Sequence, residues 1–229
     1  MSTTNIPITL DIEPVDPFSL PVRFTAASGS GIARNGASEG GAIGGWLKNA
    51  NGAVFGFSNN HVIAALNSGE KGDTVWQAGR RVGVLTGWTR LQPPPSVNRM
   101  DFAIFQLAKG EPWHWRHPRP VAWQPPTVNQ PVYRVDREGM RKKGIITHTG
   151  GTLTVPFGTR SFIFKDIVAI RSTTTGPFSA PGESGALVMS GVNFASCMLF
   201  ACSDDSEHTH SFAFPWGCVG DIYPEFRWA

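Results

Sequence analysis

The chain of 229 residues contains only three cysteines and two tyrosines, and it has no apolar run long enough to span a membrane. Residues 1–11 lack the basic stretch followed by an apolar block that marks a secretion signal. A small, odd number of cysteines without such a signal is typical of thiols kept reduced inside a cell. The sequence therefore predicts a cytoplasmic location and no membrane partner.

A metal site also lacks support in the sequence. The spacing of Cys197, Cys202 and Cys218 matches no zinc site. Cys197 and Cys202 are expected to face opposite sides of one strand and so cannot easily form a disulfide. His114 and His117 lie close together, but no cysteine or acidic residue completes a metal-binding set with them. We expect neither a metal nor another cofactor.

Charge of one sign is not concentrated anywhere, and the net charge is only +3. The basic residues are dispersed apart from those in residues 137–143, which we interpret as a solvated loop. This distribution lacks the basic surface that nucleic acids require, so no nucleic-acid partner is expected. The glycine-rich residues 28–45 are not followed by Gly-Lys-Ser/Thr, which argues against a phosphate-binding loop.

Glycine (26 residues) and proline (18 residues) are abundant, and they separate short apolar runs. Several runs alternate with a period of two, as in Phe162 and Phe164 or Phe212 and Phe214. Helical periodicity is nearly absent before a short helix predicted within residues 217–226. These patterns predict an all-β chain of antiparallel strands that close into barrels.

Three segments carry residues suited to nucleophilic catalysis. Ser184 lies between Gly182 and Gly185 at a predicted sharp turn, which exposes its hydroxyl and turns N–H groups outward. His61 follows an apolar strand at a polar corner. Asp101 precedes an apolar run, where an unpaired carboxylate would be costly to bury and a histidine N–H is a suitable partner. Each residue also has an ordinary structural role open to it, as a cap, a strand-entry acid or a loop serine.

The order His61, Asp101, Ser184 is the order of chymotrypsin-like proteases. With Ser-Asn-Asn-His-Val at residues 58–62 and Gly-Glu-Ser-Gly at residues 182–185, the chain resembles trypsin-like serine peptidases, in particular bacterial intracellular ones. The resemblance spans about residues 29–214. Glu183 stands where that family usually has Asp, and nothing resembles a chain end released by zymogen cleavage, so trypsin-style activation is not expected.

The resemblance implies a double six-stranded antiparallel β-barrel, chymotrypsin-like, with a short C-terminal helix. It divides the chain into an N-terminal arm (1–27), an N-terminal β-barrel (28–110), an inter-barrel linker (111–128), and a C-terminal β-barrel with a tail (129–229). The linker is rich in proline and tryptophan, and the arm is rich in proline.

The resemblance also implies roles for individual residues. His61 acts as the base, Asp101 orients it, and Ser184 is the nucleophile. The N–H groups of Gly182 and Ser184 form the oxyanion hole, and Glu183 braces the turn. The strand predicted over residues 195–203 pairs with the substrate backbone. The residues expected to contact substrate are Phe178, Ala201, Cys202 and His210.

A histidine at position 210, near the expected pocket floor, favours an acidic or amide side chain before the scissile bond. The sequence thus predicts a serine endopeptidase whose partner is a protein or peptide substrate. Two alternatives stay open at this point: a catalytically silent peptide-binding protein of the same fold, and an esterase that uses the same triad.

Overall fold

The computed structural model describes residues 22–23, 32–34, 40–77, 79–136, 138–205 and 207–229. Apart from Val22–Arg23, the predicted N-terminal arm lies outside the described residues. The elements in chain order are β1 (Val22–Arg23), β2 (Ile32–Arg34), β3 (Gly45–Lys48), β4 (Val54–Ser58), α1 (Asn60–Ile63), β5 (Thr74–Gln77), β6 (Arg80–Trp88), β7 (Val97–Asn98), β8 (Ala103–Leu107), β9 (Ala122–Trp123), β10 (Pro131–Val135), β11 (Arg141–Phe157), β12 (Arg160–Ser172), β13 (Leu187–Ser190), β14 (Phe194–Ser203), β15 (His210–Pro215), α2 (Gly217–Ile222) and β16 (Arg227–Trp228).

Within the described residues, the strands form two sheets, each built mainly from one half of the chain. The first runs in the order β3-β4-β8-β6-β5-β2, and the C-terminal strand β16 joins its edge at β3. Val75, Leu85 and Phe105 are fully buried on its inner face. Burying side chains of this size stabilises the fold by about 1.5–3 kcal/mol each.

The second sheet is a closed barrel of six main strands. They run in the order β14-β13-β10-β11-β12-β15, and β15 pairs back with β14. The short strands β1, β7 and β9 add to it. Val168, Val188 and Leu199 fill its interior. The predictions of an all-β architecture and of a short C-terminal helix, here α2, are confirmed.

An aromatic core lies between the two sheets. Phe57 and Phe102 from the first half stack at 5.9 Å, and Phe200 and Phe212 belong to the same buried cluster from the second half. This core packs the two halves together, so loops from both meet at one seam. Aromatic pairs of this kind add about 0.5–1.5 kcal/mol beyond their buried area.

The boundary between the halves is crossed several times. β7 pairs with β12, and the tail strand β16 pairs with β3 of the first sheet rather than with the second barrel. The domain boundaries given above stay a prediction. No helix among the described residues is long and apolar enough to cross a membrane.

β11 differs from the sequence expectation. The sequence predicts two strands near residues 144–147 and 152–155 and a loop over residues 137–143. Instead, β11 is continuous over 17 residues and begins at Arg141, inside that predicted loop. Arg141 pairs with Val135 and places its guanidinium 4.6 Å from the Tyr133 ring. Register shifts between Ile146 and Leu153 let the strand continue through the glycines that suggested a break.

Candidate active site

The histidine and the aspartate meet at the end of β4. The ring Nδ1 of His61 lies 2.5 Å from Oδ2 of Asp101, and the backbone N–H of His61 donates to Oδ1 at 3.1 Å. The Asp101 side chain is fully buried, while the His61 side chain keeps 12% of its surface exposed. Because a carboxylate only accepts, Nδ1 carries the hydrogen. In the neutral ring, Nε2 is then the basic nitrogen.

Two asparagines hold this pair in place. Asn59 Nδ2 donates to the carbonyl of Asp101 at 2.6 Å, and Asn60 Nδ2 donates to the carbonyl of Thr89 at 2.7 Å. Asn67 reinforces the second contact, because its N–H donates to Asn60 Oδ1 at 2.9 Å. The pairing of β4 with β8 puts the two segments side by side. The Ser-Asn-Asn-His-Val motif thus fixes both members of the pair.

Ser184 lies half-buried on the turn before β13. Its Oγ donates to the carbonyl of Phe200 at 3.4 Å. Gly182 has a φ of +89°, a conformation that strains any residue with a side chain. Among the residues the structure describes, the N–H groups of Gly182 and Ser184 donate no backbone–backbone hydrogen bond. These two N–H groups belong to the residues on either side of Glu183.

The glycine-rich segment before β3 brings the serine turn against α1. The N–H of Ala42 donates to the carbonyl of Ser184 at 2.7 Å. A Cβ on Gly41 would lie 2.6 Å from that carbonyl oxygen and 2.6 Å from Cγ2 of Val62, the residue after His61. Gly41 thus has to be a glycine, since it is wedged between the serine turn and the histidine helix. Sequence reasoning assigned no role to this segment, and its only signal was its glycine content.

A buried arginine braces the serine turn from behind. Arg134 on β10 donates through Nη2 to Glu183 Oε2 at 2.5 Å and through Nε to the carbonyl of Phe178 at 2.5 Å. Its side chain is only 3% exposed. Burial lowers the pKa of Arg134, and the charge of Glu183 opposes that shift. Glu183 Oε2 also accepts from the N–H of Ala180 at 2.7 Å. The turn is therefore fixed at both ends by one ion pair.

An aromatic side chain from the second barrel packs on the histidine. Phe157, the last residue of β11, places its ring 5.0 Å from the His61 ring. Phe162 on β12 meets Phe157 edge-on at 5.7 Å. The long β11–β12 hairpin therefore reaches the histidine across the seam. Nothing in the sequence links Phe157 to His61, because their contact depends on the unexpected length of β11.

The contact between Phe157 and His61 predicts separate effects on the orientation of the His61 ring and on the stability of the protein. For a reaction in which His61 acts as the base, Phe157→Leu should lower kcat severalfold, because the leucine leaves the His61 ring freer to rotate. The same change should cost about 1–2 kcal/mol of unfolding free energy. Phe162→Leu is the matched control, since Phe162 is also buried and packs against Phe157. Urea unfolding and steady-state kinetics check both. Equal losses of kcat in the two variants would contradict a role for Phe157 in orienting His61.

The structure places the substrate-contact candidates in different environments. Phe178 is 1% exposed and lies in the interior of the second barrel, so its ring is covered and only its backbone borders the turn. Ala201 and Cys202 lie on β14, where their side chains are buried. At Cys202 the strand backbone pairs with Arg23 of β1 on one edge and with Ser211 of β15 on the other.

His210 lies at the start of β15 and is half-buried. Burial lowers its pKa; Asp205 opposes this, and Arg171 adds to it. The neighbouring residue Ser211 faces the other side of the strand and accepts a hydrogen bond from the Ser179 hydroxyl at 2.6 Å, both being buried. The structure thus brings Ser211 against Ser179, one of the residues that precede Ser184, and the substrate contact of His210 stays a prediction.

The three cysteines all lie in the described part of the chain, where they are buried and unbridged. Burial raises the pKa of Cys197 to about 12 and that of Cys202 to about 11. These thiols are protonated at neutral pH and are poor nucleophiles. In the same described ranges, no three His, Cys, Asp or Glu side chains are grouped to hold a metal.

Comparison with solved structures identifies the fold. The chain is similar to a chymotrypsin from Cellulomonas bogoriensis (TM-score 0.59, 19% identity, covering 89% of this chain and 98% of that one). It is also similar to protease A from Thermobifida fusca (TM-score 0.62, 13% identity, 89% and 98% covered). A third neighbour is a glutamic acid specific serine protease (TM-score 0.60, 17% identity, 86% and 97% covered).

These neighbours are bacterial serine proteases, and the predicted chymotrypsin-like fold is confirmed. A scan against models of protein families found no match, and neither did a search of curated protein sequences. At these identities the likeness establishes the fold and leaves the activity to be argued from the site.

Proposed function

We propose that this protein is a serine endopeptidase in which Ser184, His61 and Asp101 hydrolyse peptide bonds through an acyl-enzyme. The observation that carries the proposal is the 2.5 Å contact between His61 Nδ1 and the buried Asp101 carboxylate. This contact leaves Nε2 as the basic nitrogen, in a histidine at the same seam as the half-buried serine. A fully buried carboxylate needs such a partner, and the pair it forms is the one that serine catalysis uses.

The reaction follows from these groups. Ser184 Oγ attacks the substrate carbonyl carbon while His61 Nε2 takes the hydroxyl proton. The C–N bond then breaks as His61 returns that proton to the leaving amine. Water attacks the resulting ester in the same way and releases the acid. Asp101 keeps the ring in the required tautomer and stabilises the imidazolium in each step.

The oxyanion forms where the two N–H groups of Gly182 and Ser184 are available. Each such donor lowers the barrier by about 3–4 kcal/mol when it is held in place before the reaction starts. The Arg134–Glu183 ion pair supports this preorganisation, because Glu183 lies between the two donors.

The cleavage preference is proposed from a residue outside the triad, His210. The third neighbour is described as glutamic acid specific and as using a histidine triad in substrate binding. In this chain, the preference for an acidic or amide side chain stays a prediction from His210. Ser179 and Ser211 are buried hydroxyls near the serine turn, and they add neutral hydrogen-bonding groups there. The cytoplasmic location and the absence of nucleic-acid and membrane partners likewise stay predictions.

Labelling with a small fluorophosphonate tests the proposal, since only an activated serine reacts readily with it. We expect a single adduct, located on Ser184 by mass spectrometry, and labelling at least 100-fold slower in His61→Gln because the base is lost. Ser184→Ala is the blank.

The outcomes separate the alternatives. Labelling of the unaltered protein at the rate of the blank would identify a silent peptide-binding protein. Rapid labelling together with turnover of esters but not of peptides would identify an esterase.

A further inference from the structure

β13 pairs with only the first part of one edge of β14, the edge next to Ser184. This pairing runs from Leu187 opposite Met198 to Ser190 opposite Phe194. The last backbone contacts there are those of Gly185 and Ala186 with Leu199. Beyond this point the chain turns away at Ser184, so β13 leaves the rest of that edge unpaired.

β1 occupies this edge. It runs antiparallel to β14, with Arg23 opposite Cys202 and Val22 opposite Ser203. Cys202 also pairs with Ser211 of β15. A strand has two edges and β15 takes one of them, so β1 lies on the other, the edge shared with β13 and the serine turn.

An extended substrate needs the same edge. Ser184 Oγ donates to the carbonyl of Phe200, two residues before Cys202, so a peptide whose carbonyl reaches Ser184 runs past Cys202 and Ser203. Peptides bind to an open strand edge by backbone hydrogen bonds, as one more strand of the sheet. One edge cannot pair with two strands at the same residues.

We infer that β1 is an autoinhibitory strand: the chain's own Val22–Arg23 occupies the backbone position of a substrate on β14 and has to leave before an extended peptide binds. The inference rests on the proposed function, since it assigns a regulation to that same site. Among the described residues, two pair with β14, and a strand of this length can be displaced. It acts by reducing the fraction of molecules that are open to substrate. Anything that binds the N-terminal segment would then activate the enzyme.

The test uses the full chain with Val22→Pro and Arg23→Pro, which removes both backbone donors of β1. For a peptide substrate with four residues before the scissile bond, we expect KM to fall about tenfold with kcat unchanged. Fluorophosphonate labelling should not change, because that small probe does not use the β14 edge. The matched control is Thr3→Pro with Thr4→Pro, which places the same number of prolines in the N-terminal segment at positions remote in sequence from Val22–Arg23.

A KM equal to that of the control, in a variant that labels normally, overturns the inference. A binding measurement keeps it testable without catalysis. A fluorescent peptide with the sequence of residues 18–27 should bind the double variant at least tenfold more tightly than the unaltered chain, and equal binding overturns the inference. If neither the unaltered chain nor the variants react with the fluorophosphonate, the proposed function is wrong. The peptide-binding measurement then still decides whether β1 occupies the edge of β14. If the double variant does not fold, Arg23→Pro alone replaces it in both assays.

Discussion

Replacing Ser184 with alanine is expected to lower kcat for peptide hydrolysis about a millionfold while the protein folds normally. The alanine has no oxygen to form the acyl-enzyme, so only the oxyanion donors and substrate binding remain. The hydroxyl contributes little to stability, because its described hydrogen bond, to the carbonyl of Phe200, is long at 3.4 Å. We expect a loss of less than about 1 kcal/mol in unfolding free energy. Steady-state kinetics and urea unfolding measure the two quantities.

Ser190→Ala is the matched control for this experiment. Ser190 ends β13, the strand that follows the serine turn, and its hydroxyl is buried with a 3.3 Å hydrogen bond to Gln124. Its loss should lower stability at least as much as the loss of the Ser184 hydroxyl and should leave kcat within about twofold. If Ser184→Ala kept more than 1% of the activity, a different group would be the nucleophile and the proposed mechanism would be wrong.

The parts of the fold that the sequence predicted are those with a local signal. Short β-rich runs between glycines and prolines gave the all-β architecture, and Asp101 at the start of an apolar run indicated a carboxylate in need of a partner. The structure has His61 in contact with that carboxylate. Both inferences depend on residue patterns that lie within about ten consecutive residues. The same local reasoning divided β11 in two, because Gly150 and Gly151 suggest a break that pairing with β12 overrides.

The parts that could not be predicted depend on which strands become neighbours. Arg134 contacts Glu183, which lies 49 residues further along the chain. Within β10, the sequence pattern does not distinguish Arg134 from any other polar residue of an alternating strand. Phe157 reaches His61 only because β11 is long enough to cross the seam. Gly41 is needed only because two distant segments meet there. None of these contacts has a signature in composition or periodicity, since pairing partners are set by the packing of the whole domain.

Arg134→Met gives the second large effect, and here stability and activity should fall together. The methionine keeps most of the buried apolar stem but leaves the Glu183 carboxylate without its counter-charge. Breaking one side of a buried ion pair costs about 3–5 kcal/mol of unfolding free energy. The carboxylate can recover hydration only by moving outward, and the N–H groups of Gly182 and Ser184 on either side would move with it. Loss of their alignment should lower kcat by about 100- to 1000-fold.

Three further variants show which part of that effect is specific to the ion pair. Arg141→Met is the matched control, because Arg141 on the neighbouring strand is an exposed arginine stacked on Tyr133 and should lose less than about 1 kcal/mol. Arg134→Lys keeps the charge but replaces the planar guanidinium, which bonds Glu183 and the Phe178 carbonyl through two separate nitrogens, with a single ammonium, so its stability should be intermediate. Adding Glu183→Gln to Arg134→Met should recover part of the stability, because the stranded charge is gone, while kcat stays low since the turn is still unbraced. Full recovery of kcat in that double variant would show that the stranded charge, and not the loss of the brace, had disabled the turn.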